Sequence, residues 1–380
     1  MAGRTLSGTT LAARAGAAVA ALTLAVTTPT AAVPDSGALR ESEWALTALK
    51  AEQAWEITRG QGVTVAVIGT GVDASHPDLT GRVIKSRDVD GKHDEGSAAI
   101  QGTHAAGIIA GTGRNFDGDG LFGIAPEARV LPFRVYRDNT ALTAATARSI
   151  MDAARQGAKV INVTVAFPRP SDDLKTAIEV AADRDALVVA GAGDTGGTGN
   201  AKTYPAAYPG VLSVSAMDKK GAIWPDSHHG EDVDLAAPGV DILTTAKNRD
   251  YWTGSGTGFA ASWVAGSAAL LRAEHPKWTA GQVTRRLTET AIQQGKADRD
   301  ARYGWGVLAP AAALSERAVP SGSARALSFD RTADAQDRTN AESSDAGPIL
   351  IVSAVTVTLL VLTVIAWLLI RRRVSPTDEE

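Results

Sequence analysis

An aspartate, a histidine and several hydroxyl residues follow one another in an order that could support nucleophilic catalysis. They are Asp73, His104, and then Ser255, Thr257 and Ser262 around the stretch "GTGFAASWVAG" (256–266). A hydroxyl is a weak nucleophile until an imidazole takes its proton and a carboxylate holds that imidazole in the right tautomer, so the chemistry suggested is acyl transfer. "GTGFAASWVAG" is a glycine-rich turn running into a small-residue apolar helix. The residue at the turn itself, Gly258, has no side chain. A second set, His93 and the pair His228–His229 near Glu231 and Asp232, contains metal-ligating types. Adjacent histidines seldom both face one ion, so the pair is read as part of a solvated loop rather than a metal site. Asp117 and Asp119 in "NFDGDG" (115–120) resemble part of a calcium loop, but the spacing does not complete an EF-hand pattern.

The chain has 380 residues, a net charge of −4 and no cysteine. Lack of cysteine excludes a thiolate metal site, a catalytic thiol and any disulfide, and it is compatible with export. A near-balanced charge provides no basic face for nucleic acid, and none is expected as a partner. The two ends carry their own signals. Arg4 and Arg14 precede "AGAAVAALTLAV" and a small-residue stretch, the order of a secretory signal ending near Ala32 (1–32). "PILIVSAVTVTLLVLTVIAWLLI" (348–370) is 23 residues without a charge, long enough at about 1.5 Å per residue for a hydrocarbon core of about 30 Å. "RRR" follows at 371–373, which places the tail 371–380 in the cytoplasm and the domain outside. Residues 317–347 are polar, with few large apolar side chains, and read as a flexible tether. The chain is thus expected to be a single-pass cell-membrane protein with an external domain over 33–316.

That domain must position the candidate residues. Short β-branched runs at 63–69, 129–136, 158–166, 186–193 and 211–217 alternate with helical windows such as "TAATARSIMDAARQG" and "SDDLKTAIEVAADRD". Most runs lack strict alternation, as expected of parallel strands covered on both faces. The expected fold is an α/β sandwich of three layers with a mainly parallel central sheet and right-handed crossovers. Ser171 is placed to cap one helix, and Thr279 with Gln282 has capping-box spacing at another.

"VTVAVIGTGVDASHPDL" (63–79), "QGTHAAGIIAG" (101–111), "FGIAPEARVLPFRV" (122–135), "YPAAYPGVLSVSA" (204–216), "VDLAAPGVDILTT" (233–245), "GTGFAASWVAGSAALLRA" (256–273) and "YGWGVLAPAAAL" (303–314) stand in the order and spacing of subtilisin-like (S8) serine proteases. Taken with both ends, the chain resembles the mycosins, membrane-anchored members associated with type VII secretion, although many of these carry disulfides and this chain has no cysteine. The resemblance implies three triad positions. The family's catalytic aspartate falls on Gly69, its histidine on Gln101 and its nucleophile on Gly258, while the oxyanion-stabilising asparagine falls on Asp194. Asp73 and His104 match structural companions of the triad, Ser262 takes a proline position, and Asp78 matches a calcium-binding position of some subtilisins. "VTVAFP" (163–168) departs from the family's cleft pattern, which has a glycine near Ala166.

Each departure removes a separate part of the chemistry. Gly258 offers no hydroxyl, the Gln101 amide does not titrate, Gly69 orients nothing, and Asp194 puts a carboxylate where an oxyanion needs a donor. The expectation is a pseudoprotease that binds an exported polypeptide or secretion-machinery subunits, with no catalytic residue functioning and no cofactor or metal; Asp78, Asp117 and Asp119 are the candidates should a structural calcium be held. The alternative is an active endopeptidase with a rearranged triad drawn from Asp73, His104, Ser255 and Ser262. One helical turn moves a group by about 5.4 Å, so three such shifts would have to rebuild one geometry.

Overall fold

β-branched and aliphatic runs make the centre of the molecule. In the computed structural model, which describes residues 43–85, 100–137, 140–296 and 298–315, six parallel strands form one sheet. They are β1 (Thr64–Gly69), β2 (Arg129–Arg134), β5 (Val160–Val163), β6 (Leu187–Gly191), β7 (Val211–Met217) and β8 (Leu235–Pro238), in spatial order β2-β1-β5-β6-β7-β8. Two hairpins stand apart, β3 (Tyr136–Arg137) with β4 (Thr140–Ala141) and β9 (Ile242–Thr245) with β10 (Tyr251–Gly254). The signal segment, the tether, the expected span at 348–370, the tail and His93 lie outside the described residues. Among the described residues no helix is long and apolar enough to cross a membrane.

Both faces of the sheet are apolar, which is why its strands do not alternate with polar residues. Val65 and Val67 of β1 join one core with helices Ile100–Ala110, Thr257–Glu274 and Ala280–Glu289. Ala66 and Ile68, pointing the other way, join a second core with helices Thr143–Arg155 and Asp172–Asp183. This two-residue period puts successive side chains on opposite faces. The caps read from the sequence are present. Ser171 Oγ accepts from Leu174 N, and Thr279 and Gln282 exchange side-chain and backbone hydrogen bonds at 3.2 and 2.8 Å. Helix Thr257–Glu274 runs through the first core and is buried along most of its length, so small residues such as Ala260, Ala261 and Gly266 suit its close packing.

The strand order changes direction at β1. The chain passes from β1 to β2 on one side and then to β5 on the other. A crevice opens at the carboxyl ends of strands around such a switch, and in α/β sheets this is where ligands bind.

Candidate functional site

The crevice is a cavity of about 610 Å³. Its floor comes from the segments after β5 and β6, Val163–Pro168 and Gly191–Thr195, and its walls from the first turns of helices Ile100–Ala110 and Thr257–Glu274. Trp252 of β10 closes one side. Gln101, His104, Asp194, Ser255, Gly258 and Ser262 all border it; Gly69 and Asp73 do not.

Local packing explains why these elements meet. Gly69 ends β1, and Thr70 beside it accepts from Gly102 N at 2.9 Å. A Cβ on Gly102 would lie 2.0 Å from Gly71 O, so only glycine lets the helix start approach this turn. On its far side the same helix is pinned to the β9 hairpin. Thr244 Oγ1 and Thr245 Oγ1 donate to the carbonyls of His104 and Thr103 at 2.7 and 2.8 Å.

At the positions where the resemblance expects a triad, the surroundings differ from one another. An ideal Cβ on Gly258 meets nothing within 4 Å, so the nucleophile position faces open space. At Gly69 a Cβ would meet Thr164 Oγ1 at 2.2 Å, so that position is closed. Gln101 is exposed, and its Oε1 accepts from Tyr136 OH at 3.2 Å. Burial holds the Tyr136 phenol above its usual range, so it remains a neutral donor. Asp194 Oδ1 accepts from Thr257 N at 2.9 Å and from Thr257 Oγ1 at 2.7 Å. It therefore supplies the cap that Gly256 cannot, with negative charge at the positive end of an 18-residue helix.

The candidates for a rearranged triad are each engaged elsewhere. Asp73 accepts from Ser75 N and Oγ and from Asn248 N. Burial raises its pKa, but these hydrogen bonds outweigh it and hold the carboxyl below the usual range. His104 is 4% exposed, stacks on Trp252 with ring centroids 4.6 Å apart and planes 3° apart, and its Nε2 has no hydrogen-bond partner. Burial lowers its pKa to about 4, so the ring is neutral at pH 7. Ser262 Oγ donates to Gly258 O at 2.9 Å and accepts from Asn162 Nδ2 at 3.0 Å. Ser255 Oγ accepts from Asp241 N at 3.0 Å. No hydrogen bond links Asp73, His104 and either serine among the described residues.

The metal candidates are similarly occupied. Asp78 is fully buried, and its carboxylate accepts from Asn115 N at 2.8 Å, Leu121 N at 3.0 Å and Tyr251 OH at 2.5 Å. Three donors aimed at a carboxylate are the opposite of what a cation needs, so the site does not fit calcium. Asp117 and Asp119 are exposed on the neighbouring loop. His228 Nε2 pairs with Asp232 at 3.2 Å, while His229 N donates to Asn200 Oδ1. Burial raises the Asp232 pKa, but the His228 contact outweighs it and holds the carboxyl below its usual range. Among the described residues no group of three or more His, Asp or Glu is placed to hold a metal ion.

The sequence did not single out the aromatic stack. Trp252, His104 and Phe259 pack in near-parallel planes, and Trp252 remains 46% exposed. His104 and Phe259 lie within quoted motifs, and Trp252 does not. Trp252 sits in a short strand whose pairing with β9 depends on residues between them that carry no turn signature as clear as Asn-Gly.

A parallel sheet with helices on both faces, a crevice at its carboxyl edge and a glycine turn opening a buried helix define a subtilisin-like α/β domain. The chain belongs to the subtilase family (Peptidase_S8), whose model matches residues 60–306. It is 39% identical over 227 residues to a thermophilic serine proteinase of Bacillus sp. (strain AK1), across 59% of this chain and 55% of that protein. The chain thus spans about half the length of that relative. With thermitase of Thermoactinomyces vulgaris it shares 38% identity over 228 residues, 60% of this chain and 80% of thermitase. Among solved structures it is similar to MycP1 from Mycobacterium smegmatis, with 30% identity, a TM-score of 0.64, and coverage of 74% of this chain and 86% of that one. MycP3 protease from the type VII (ESX-3) secretion system gives 30% identity and a TM-score of 0.61, covering 75% and 90%.

Proposed function

We propose that this chain is a subtilase-fold binding protein that retains the cleft but performs no peptide hydrolysis. The observation that carries the reading is Gly258. It stands in the first turn of the central helix, bordering the cavity, with open space where a nucleophile's side chain would project. Gln101 as a non-titrating neighbour, Gly69 closed off by Thr164, and Asp194 turned to cap the helix support the same conclusion. Loss of a single oxyanion donor alone lowers rate by about 10²–10³, and triad loss leaves about 10³–10⁴ over water.

The ligand in this reading is an exported polypeptide or a subunit of a secretion machine. Support comes from the similar solved structures, MycP1 of the ESX-1 and MycP3 of the ESX-3 type VII secretion systems. The uncharged stretch 348–370 would anchor the domain to the cell membrane, with residues 371–380 in the cytoplasm.

The test is to expose the full chain to a fluorophosphonate serine-hydrolase probe and to labelled casein. No covalent labelling and no cleavage are expected. Labelling that disappears in Ser255→Ala or Ser262→Ala, or cleavage that depends on His104, would overturn the reading in favour of a rearranged peptidase.

A further inference from the structure

One corner of the cleft sets a carboxylate against aromatic rings. Asp194 Oδ1 is held by Thr257, while Oδ2 has no hydrogen-bond or ion-pair partner among the described residues. Gly256, lacking a Cβ, leaves a small space beside it. An ideal Cβ there would lie 3.2 Å from Asp194 Oδ2 and 3.6 Å from Phe259 Cδ2, so the free oxygen and the ring border the same gap. Phe259 in turn packs 5.9 Å from Trp252 and 6.0 Å from His104, centroid to centroid. The rings thus continue along the cavity from the carboxylate.

The charges around this corner favour one sign of ligand. Asp194 is the one acidic residue among those lining the cavity, and Lys202 is the one basic residue. Lys202 makes no ion pair with Asp194, and its charge acts on Asp232 instead. His104 is uncharged at neutral pH and adds no positive charge. The helix N-terminus, which would otherwise attract an anion, already has Asp194 on its first amide. An incoming carboxylate would meet that charge, whereas an ammonium or guanidinium would meet the free oxygen with its methylene stem against the rings.

We propose that this corner, formed by Asp194, Gly256, Phe259 and Trp252, receives the cationic side chain of a lysine or arginine in a polypeptide lying along the cleft. The proposal rests on the binding reading above and specifies what is bound. It assigns to Asp194 a recognition role in place of the oxyanion contact that this position makes in active relatives.

The experiment measures fluorescence anisotropy of the full chain with three labelled, end-capped peptides, Ala-Ala-Leu-X-Ala-Ala, where X is lysine, norleucine or glutamate. Lysine and norleucine match in length, so their difference isolates the charge. The lysine peptide is expected to bind about tenfold more tightly than the norleucine peptide, with glutamate weakest. Asp194→Asn keeps an oxygen for Thr257 N and so preserves the cap. It should bring lysine and norleucine within about twofold of each other. Phe259→Ala should weaken lysine binding about threefold. Equal binding of lysine and norleucine, or a lysine preference that survives Asp194→Asn, would refute the cation site and leave the binding reading standing. If none of the three peptides binds, both fail.

Discussion

The same substitution, glycine to alanine, should have opposite signs at the first and last positions of the expected triad. At Gly69 the new Cβ would lie 2.2 Å from Thr164 Oγ1, far inside contact distance. Thr164 is half-buried, and its hydroxyl donates to Ile68 O at 3.1 Å. Making room means swinging that hydroxyl away and breaking the bond. Overpacking of this kind costs about 1–3 kcal/mol and the lost hydrogen bond about 0.5–1.5 kcal/mol. Against this, alanine gains about 0.4–1 kcal/mol from the less flexible unfolded chain. Gly69→Ala should therefore destabilise by about 1–3 kcal/mol.

At Gly258 nothing lies within 4 Å of the added atom, and the residue is helical. Gly258→Ala should therefore stabilise by about 0.5–1 kcal/mol. A double-mutant cycle fixes the mechanism. Thr164→Ala removes the obstructing oxygen, and the remaining Thr164 Cβ, at 3.5 Å, makes ordinary contact. Gly69→Ala with Thr164→Ala should then cost little more than Thr164→Ala alone, a coupling of about 1–2 kcal/mol. Urea unfolding followed by far-UV circular dichroism measures all four forms. If Gly69→Ala is as stable as the parent, or if the two substitutions simply add, the closed-site argument is wrong.

Three further outcomes follow from the contacts described. His104 has a folded-state pKa of about 4 against an ordinary 6.5, lowered by burial, so its contribution to stability is complete above about pH 6.5 and is lost as pH falls toward 4. His104→Phe keeps a ring on Trp252, and the difference in stability between the two proteins should shrink or reverse in the variant's favour by a few kcal/mol across that window, as read by unfolding at pH 7 and pH 4.5. Thr279→Ala breaks the capping box of helix Ala280–Glu289 and should lower stability by about 1 kcal/mol in the same assay. Arg272 is buried, donates to the Asp185 carboxylate at 2.9 and 3.1 Å and also to Trp278 O. Arg272→Met should cost about 1–3 kcal/mol, because Asp185, itself partly exposed, loses its buried cation and keeps only Lys159 at 3.3 Å.

Periodicity and composition made the scaffold legible. Runs such as 211–217 became strands with identical bounds, because a strand covered on both faces must be apolar throughout. Other runs were longer than their strands: 158–166 contains β5 only over Val160–Val163. The remainder, Thr164–Ala166, leaves the sheet to line the cleft, and β-branched composition cannot distinguish those two uses. Strand β8 lies inside a quoted motif but carries no strand signal of its own, since "LAAP" is short and ends in proline. For the site, residue types alone gave Asp73, His104 and the serines. Only the placement of Asp73 by Ser75 and Asn248, and of Ser262 by Asn162, reveals that these groups face different partners. The aromatic stack was out of reach because Trp252 and His104 are joined through the Thr244 and Thr245 hydroxyls, a contact across 140 or more positions of sequence.

The four departures from the family's pattern are physically unlike, and this bears on how far the proposed loss of catalysis has gone. At Gly258 a side chain is missing and its space remains, so a serine could be accommodated there directly. At Gly69 the space has been taken by Thr164, so an aspartate could return only if Thr164 also moved. Gln101 has become a partner of Tyr136, whose phenol would have to release it before an imidazole could act there. Asp194 caps the central helix through Oδ1, so an asparagine there keeps the cap only with its oxygen on Thr257 and its amide turned to the cleft. Restoring three side chains would therefore not restore three roles, because two of the positions are now tied to neighbours in the fold. Gly69→Asp, Gln101→His and Gly258→Ser made together should remain without measurable hydrolysis of casein. Adding Thr164→Ala, which removes the obstructing oxygen, and Asp194→Asn is the combination in which activity should first appear, and activity in the simpler triple variant would show that the remodelled neighbours impose no barrier.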